Sequence, residues 1–266
     1  MKRKAALVLI FGNQYPSDWQ GMIFSRKKES INKSFINYVD FHNHSLPAVD
    51  DGAKSIEQSL EMLKAFKSLG MRGVVITPHI LKGAYPNRKE NIHEVYNNLK
   101  PHLVESGLDE FVINVAAEHM LDEDFMELLK SKALLCLTGN YILIEMSYFQ
   151  KPAFLKPVLF DLLSAGYQAI LAHPERYNFI NDLAEYQDLK TRGCSFQLNL
   201  LSLTDHYGPH VQKKAFQLLK AGYYDYAGTD AHHIQHITKI GKIEVPKKYV
   251  SEVQRIMANN SNLFFK

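Results

Sequence analysis

Seven short runs rich in β-branched and aromatic residues punctuate this chain, and between them lie polar segments with the spacing of surface helices. The runs cover 36–42, 73–79, 111–118, 141–147, 169–175, 195–200 and 224–230. After the first comes SIEQSLEMLKAFKSLG, in which Ile56, Leu60, Leu63 and Phe66 form one apolar stripe; after the second comes NRKENIHEVYNNLKPHLVESG, with Asn87 as its expected cap. Further helices are expected over 122–131, 152–165, 182–192, 209–221 and 247–258, and Gly70, Gly166, Gly193 and Gly222 stand where a helix should stop before the next strand. This alternation implies an α/β fold, a parallel sheet with crossover helices, either closed into a barrel or open and doubly wound. An open sheet gathers its binding residues at one switch point, whereas a barrel brings the C-terminal ends of all its strands around one mouth.

The strand ends favour the barrel. In VDFHNHSLPAVDDG, His42 and His44 close an apolar run one residue apart, and alternate strand residues face the same side, so both imidazoles can converge on one point. The second run ends in His79, the third in Glu118, the fourth in Glu145, the fifth in His173, and the last in Asp230 with His232 just beyond; only the sixth, ending near Asn199, lacks an obvious ligand. A lone histidine at a strand end is more often a hydrogen-bonded structural group, and Glu145 alone reads as a salt-bridge partner. Six of seven ends carrying an imidazole or carboxylate is instead the pattern of a metal centre at a barrel mouth. Without a shared cation, such carboxylates would repel and their desolvated charges would lack partners. Imidazoles with Glu and Asp, and no thiolate, suit Mn, Fe or Zn better than a cysteine-rich structural zinc site, and are too nitrogen-rich for a Mg or Ca cage. The ligands outnumber the demand of one ion, so two or three divalent ions are expected, with carboxylates bridging them.

Composition limits the alternatives. A chain of 266 residues, 46% hydrophobic, can bury the core of a single barrel-sized domain. With 31 basic against 28 acidic residues, nothing calls for a nucleic-acid partner, and the basic patches at 2–4 and 26–28 read as solvated. Cys136 and Cys194, far apart and each in an apolar segment, point to buried free thiols in a reducing compartment. The N-terminal run AALVLIF is short for a signal and has no small-residue cleavage pattern, and Met22 is an alternative start. No apolar stretch approaches the roughly 20 residues needed to span a bilayer. A cytoplasmic protein is expected.

The set FHNH, VDDG, TPH, AAEHM, LIEMS, AHPERY and GTDAH, in this order over about residues 38–235, resembles the polymerase and histidinol phosphatase (PHP) superfamily. Within it, the set is similar to the manganese-dependent tyrosine-protein phosphatases of bacterial capsule and exopolysaccharide loci. The resemblance implies a distorted (β/α)7 TIM-like barrel of PHP type holding a trinuclear centre of divalent ions, Mn first, with Fe or Zn as alternatives. It implies a phosphatase domain over 36–266, preceded by an extension over 1–35, partly disordered. Carried over position by position, His42, His44, Glu118 and Asp230 hold one ion; Glu118 bridges to a second, completed by Glu145 and His173; Asp51, His79 and His232 hold the third. Asp51 fits the pattern better than Asp50, which is left a structural role. Arg176, three residues after His173 in HPERY, corresponds to the arginine that grips the substrate phosphate. A further arginine that members carry shortly after the last histidine is missing: the chain reads DAHHIQHITKI there, with Lys239, His233 and His236 as the residues on hand.

The implied activity is hydrolysis of phosphotyrosine by a metal-activated hydroxide, and the implied partner is the tyrosine-rich tail of a bacterial tyrosine kinase that controls polysaccharide export. A thiol-type phosphatase needs an arginine six residues after its cysteine; Ile142 and Leu200 occupy those offsets from Cys136 and Cys194. The nearest alternative is another phosphoesterase of the superfamily, such as histidinol phosphatase. An amidohydrolase also begins with HxH on a barrel strand, but needs a lysine at the fourth strand end, where Glu145 stands. A degenerate binding module would lack ligands that are all present. His93, His102, His119, His206 and His210 are expected on the surface or on helices, with His206 and His210 as candidates for the rim. Tyr148, Phe149, Tyr177 and Tyr207 follow strand ends and can stack on a phenyl ring or pack in loops.

Overall fold

A computed structural model of the chain describes residues 27–265. Most of the expected N-terminal extension, including Met22 and the first basic patch, lies outside the described residues. Eleven strands run in the order β1 (Lys28–Ser30), β2 (Val39–Asp40), β3 (Gly73–Ile76), β4 (His79–Ile80), β5 (Val112–Val115), β6 (Glu118–Met120), β7 (Tyr141–Glu145), β8 (Gln168–Ala172), β9 (Ser195–Asn199), β10 (Tyr226–Gly228) and β11 (Glu244–Pro246). The helices are α1 (Ile56–Ser68), α2 (Lys89–Glu105), α3 (Glu123–Lys130), α4 (Leu155–Ser164), α5 (Leu183–Thr191), α6 (Pro209–Lys220), α7 (Ile234–Ile240) and α8 (Val250–Phe264).

All the predicted strands appear, and two of them are split. The run 73–79 divides into β3 and the start of β4 around Pro78, which has no N–H to give a ladder, and the run 111–118 divides into β5 and β6. β2, β3 and β5 form one parallel sheet, and β10, β9, β8, β7, β6 and β4 form, in that order, a second. The ladder carries on between the split pieces, since Ala116 N–H donates to Ile76 O at 2.8 Å and Glu118 N–H to Pro78 O at 3.0 Å. The far edges meet as well: Asn43 bridges Ala231 in parallel, and Asp230 N–H donates to His42 O at 2.7 Å. Asp40 staples this junction, its carboxylate accepting from Thr229 N at 2.9 Å and Thr229 Oγ1 at 2.8 Å.

Helix starts follow local chemistry. Ser55 caps α1, Asp122 caps α3 and Asp182 caps α5, each accepting backbone N–H groups of the first turn. On α1 the buried face holds Met62, Leu63 and Phe66, while Ile56 and Leu60 pack at its margin. Asn87 does not cap α2, because Arg88 occupies that position; its side-chain amide instead donates to Val49 O at 2.9 Å and His79 O at 2.8 Å, tying two mouth loops together. The short α7 and the antiparallel pair β1–β11 have no counterpart among the predicted elements. The pair lies beside a turn in which Ile31 and Phe35 are fully buried, so the folded body already includes these residues. Among the described residues no helix is long and apolar enough to cross a membrane.

The core has two parts. The larger lies between strands and helices and includes Ile142, Ile144 and Leu171, while a smaller cluster takes Phe41, Val75, Ala116, Leu143 and Ile170 from successive strand segments. Leu143 and Ile170 alternate along β7 and β8 with the helix-facing residues, as the two faces of a strand require.

Candidate metal centre

Because both main sheets are parallel, the C-terminal ends of their strands share one end of the molecule, and the predicted ligands gather there. Past β2 the chain carries His42 and His44 inward, both fully buried. The VDDG turn then folds back over His44, with Ala53 N–H donating to His44 O at 3.0 Å. A Cβ on Gly52 would stand 2.0 Å from that oxygen, so only glycine admits the approach. Gly228 has the same function across the mouth, where a Cβ would meet His42 Cβ at 2.8 Å. His173 and Asp230 adopt positive φ angles of 35° and 49°, a conformation that costs about 1–3 kcal/mol and is tolerated where a site needs it.

Three groups of donor atoms result, each within 4.8 Å of one another: His42, His44, Glu118 and Asp230; His79, Glu118 and Glu145; and His44, Asp51, His79 and His232. Glu118 Oε2 lies 3.1 Å from both His42 Nε2 and His79 Nδ1, so it belongs to two groups. His79 Nδ1 is 2.9 Å from Glu145 Oε1, and His232 Nε2 is 3.4 Å from Asp51 Oδ1. His173 stands beside the second group, its Nε2 3.0 Å from Glu118 Oε1. All nine sequence-predicted ligands are therefore brought together. The grouping departs from the expected one in that His79 faces Glu118 and Glu145, and His44 reaches toward Asp51 and His232.

These groups fit divalent cations. His42 Nε2, His44 Nε2, His79 Nδ1, Glu118 Oε2 and Glu145 Oε1 are buried without a hydrogen-bond partner. Each such atom costs about 1–3 kcal/mol, and a fold seldom leaves several in one place without a ligand. Electrostatics point the same way. Burial opposes the charge on His79, yet Glu145 and Glu118 beside it lift the imidazole to about 9. Burial also opposes charge on Glu118, but His42, His79 and His173 hold its carboxyl well below the usual range; His42, His44, His232 and Arg176 do the same for Asp230. Cation binding replaces those imidazole protons with metal charge.

Second partners fix the ligand rings. His42 Nδ1 lies 2.9 Å from Gln197 Oε1, and His44 Nδ1 lies 2.9 Å from Asp50 Oδ2. Such contacts choose the tautomer that turns Nε2 toward the centre. Gln197 was not a predicted site residue, nor was Asn199, whose side-chain amide donates to Asp230 Oδ2 at 2.9 Å. The signal was available: two buried amides two residues apart on an otherwise apolar strand share one face.

Arg176 follows β8 in a 3-10 turn and donates from Nη1 to Asp230 Oδ2 at 2.6 Å. Its guanidinium is held between Tyr148 and Tyr207, 4.5 and 4.3 Å from the ring centroids, which fixes its plane. It opens on a cleft of about 450 Å³ whose lining includes Asp51, His79, Glu145, His173, Asp230 and His232. Tyr177 is fully buried and donates its hydroxyl proton to Ala172 O at 3.1 Å, so it packs and does not line the cleft. Lys239, His233 and His236 are not among the lining residues; Lys239 Nζ lies 3.3 Å from His206 Nδ1. His119, expected on the surface or a helix, is a fully buried β6 residue, with Nδ1 3.1 Å from Leu143 O and Nε2 accepting from Leu135 N at 3.2 Å; burial lowers its pKa to about 4 and keeps it neutral. A cavity of about 550 Å³ at residues such as Tyr141, Tyr226 and Asn259 has no charged lining.

Residues 38–265 match the sequence profile of the capsular polysaccharide synthesis family CpsB/CapC. The chain belongs to the CpsB/CapC family. One CpsB/CapC-like relative, the tyrosine-protein phosphatase YwqE of Bacillus subtilis, is 27% identical over 232 residues, 86% of this chain and 91% of its own. The tyrosine-protein phosphatase CpsB of Streptococcus pneumoniae is 29% identical over 203 residues, 74% of this chain and 83% of its own. A crystal structure from work on YwqE and CpsB, named there as unique metal-dependent tyrosine phosphatases, matches with a TM-score of 0.73 at 27% identity, covering 85% of this chain and 93% of that one. A lactonase from Listeria monocytogenes shares the fold alone, with a TM-score of 0.50 at 11% identity over 88% of this chain and 96% of that one.

Proposed function

We propose that this CpsB/CapC chain is a metal-dependent protein-tyrosine phosphatase. The observation that carries the reading is the convergence of buried, unpartnered imidazole and carboxylate atoms beneath Arg176 at the floor of an open cleft. His42, His44, Glu118 and Asp230 would hold one ion, Glu118, Glu145 and His173 with His79 nearby a second, and Asp51, His79 and His232 a third. Manganese is the first choice for this donor set, with iron or zinc as alternatives. When bound, such ions activate a water as nucleophile and neutralise charge on the phosphoryl oxygens and the leaving phenolate.

The chain's own residues do the rest. Arg176 offers a planar fork to the phosphoryl oxygens, and Tyr148, Tyr207 and Asp230 hold that fork in place. Asp50 and Gln197 orient the ligand rings. No protein nucleophile is needed, in keeping with cysteines that lack the arginine of a thiol-type phosphatase loop. We take the catalytic domain as residues 36–266, with residues 28–35 packed on it through the β1–β11 pair and the buried Ile31 and Phe35, and its sheets as a distorted (β/α)7 barrel closed through the Asn43–Ala231 bridge. The small apolar cluster that draws on successive strands supports this closure. The natural partner would be the phosphotyrosine tail of a bacterial tyrosine kinase regulating polysaccharide export, in the cytoplasm.

Turnover of a phosphotyrosine peptide, a phosphoserine peptide and histidinol phosphate, measured in parallel on metal-reconstituted protein, tests the assignment. The phosphotyrosine peptide is expected to be preferred. Preference for histidinol phosphate would overturn it.

A further inference from the structure

The rim of the cleft is divided by chemistry. The loops after β8 and β10 supply Arg176, Asp230 and His232, whereas the end of β6 and the loops after β4, β6 and β7, which are neighbours in the sheet, supply Leu81, Tyr85, Met120, Leu121 and Phe149, along with Asp122, whose carboxylate is taken up by the backbone N–H groups of Lys82, Asp124 and Phe125. Phe149 stands out in this apolar arc because its side chain is 96% exposed although it lines the cleft. Its position is tied to the site through the two residues that precede it. Ser147 Oγ accepts its backbone N–H at 3.3 Å, and Tyr148 lies against Arg176 with its hydroxyl 3.4 Å from His173 Nε2. The other side of the arc is equally anchored: Leu81 and Tyr85 exchange backbone hydrogen bonds of 2.9 Å, and the Tyr85 ring stacks on His79 with centroids 5.6 Å apart.

A phenyl ring left in water gains no burial energy from its own fold; it gains it only when another apolar body covers it. We propose that Phe149 is a specificity-determining residue that covers the phenyl ring of a bound phosphotyrosine and so selects aryl over alkyl phosphate esters. The inference rests on the phosphatase reading and deepens it. With the phosphoryl group at Arg176 and the ligand cluster, the ester oxygen leads directly to the ring, which then lies at the level of the apolar arc. A phosphoserine at the same depth brings only a methylene and peptide backbone there. Offset or edge contact between two aromatic rings adds attraction that an alkyl ester cannot collect.

The test is steady-state kinetics of the metal-loaded full chain as wild type, Phe149→Ala and Phe149→Tyr, with a phosphotyrosine peptide as substrate and inorganic phosphate as competitive inhibitor. Phe149→Ala should lower kcat/KM by about ten-fold, chiefly through KM, while the inhibition constant of phosphate and the metal content stay at wild-type values; Phe149→Tyr should restore kcat/KM. Unchanged kcat/KM in Phe149→Ala overturns the inference, and so does a parallel weakening of phosphate inhibition, which would mean that the loop merely positions Arg176. If the wild type hydrolyses no phosphotyrosine peptide, the phosphatase reading falls together with the inference. Activity in the wild type with no change in the variant removes the inference alone.

Discussion

Asp50 Oδ2 accepts a hydrogen bond from His44 Nδ1 at 2.9 Å and a second from the backbone N–H of His79 at 3.0 Å, so one carboxylate sets the position of two candidate ligands. Its other oxygen accepts from Gly52 N at 2.9 Å and closes the turn that presents Asp51. Asp50→Ala should therefore weaken metal binding by about 10–100-fold without unfolding the chain, read by calorimetric titration of the metal-free protein. Wild-type affinity in that variant would reduce Asp50 to a turn former.

Arg176 is partly buried between Tyr148 and Tyr207 and pairs with Asp230 Oδ2, whereas it is Oδ1 of that carboxylate that faces the His42 and His44 imidazoles. Arg176→Ala should lower turnover of phosphotyrosine peptide by about 10²-fold, the usual loss when a charge-stabilising donor is removed, and leave bound metal nearly unchanged. Elemental analysis beside the kinetics decides the matter. Loss of metal would mean that its pairing with Asp230, and not substrate, is what Arg176 serves.

Chelation should abolish turnover, and added Mn should restore it better than Fe or Zn. It should also lower the melting temperature by several degrees, because a cation held at a hundred times its Kd stabilises the folded state by about 2.7 kcal/mol. Differential scanning calorimetry of loaded and stripped protein gives the comparison. Full activity after exhaustive stripping would defeat the metal-centred reading.

Burial pushes the Cys194 thiol up to about 12 and raises that of the half-buried Cys136. A thiol needs its thiolate form to react, so both are poorly reactive at neutral pH. Iodoacetamide should leave activity intact, with mass spectrometry showing Cys194 unmodified in the folded protein. Inactivation that tracks alkylation of either residue would reopen thiol chemistry.

Much of this site was legible because its ligands sit at strand ends, where a period-2 apolar run stops and a lone ionisable residue begins. His42 and His44 show it best, since their spacing alone places them on one side of a strand. Asn87 shows the limit: as a local signal it reads as a helix cap, but the folded loops offered its amide two carbonyls from distant segments. His119 shows another limit: alternation turns the residue after Glu118 away from the mouth, but nothing in AAEHM tells that this other face is covered and the ring buried there beside Phe125.

The sequence by itself determined the alternation of strands and helices and the chemistry of the ligand set, because both depend on residue type and on spacings of a few residues. Tertiary structure decided the rest: which imidazole faces which carboxylate, that Gln197 and Asp50 orient the rings, and that two tyrosines from different loops grip Arg176. Those relationships join residues far apart in the chain, and their distances are set by how the sheets twist and pack, which no local pattern encodes.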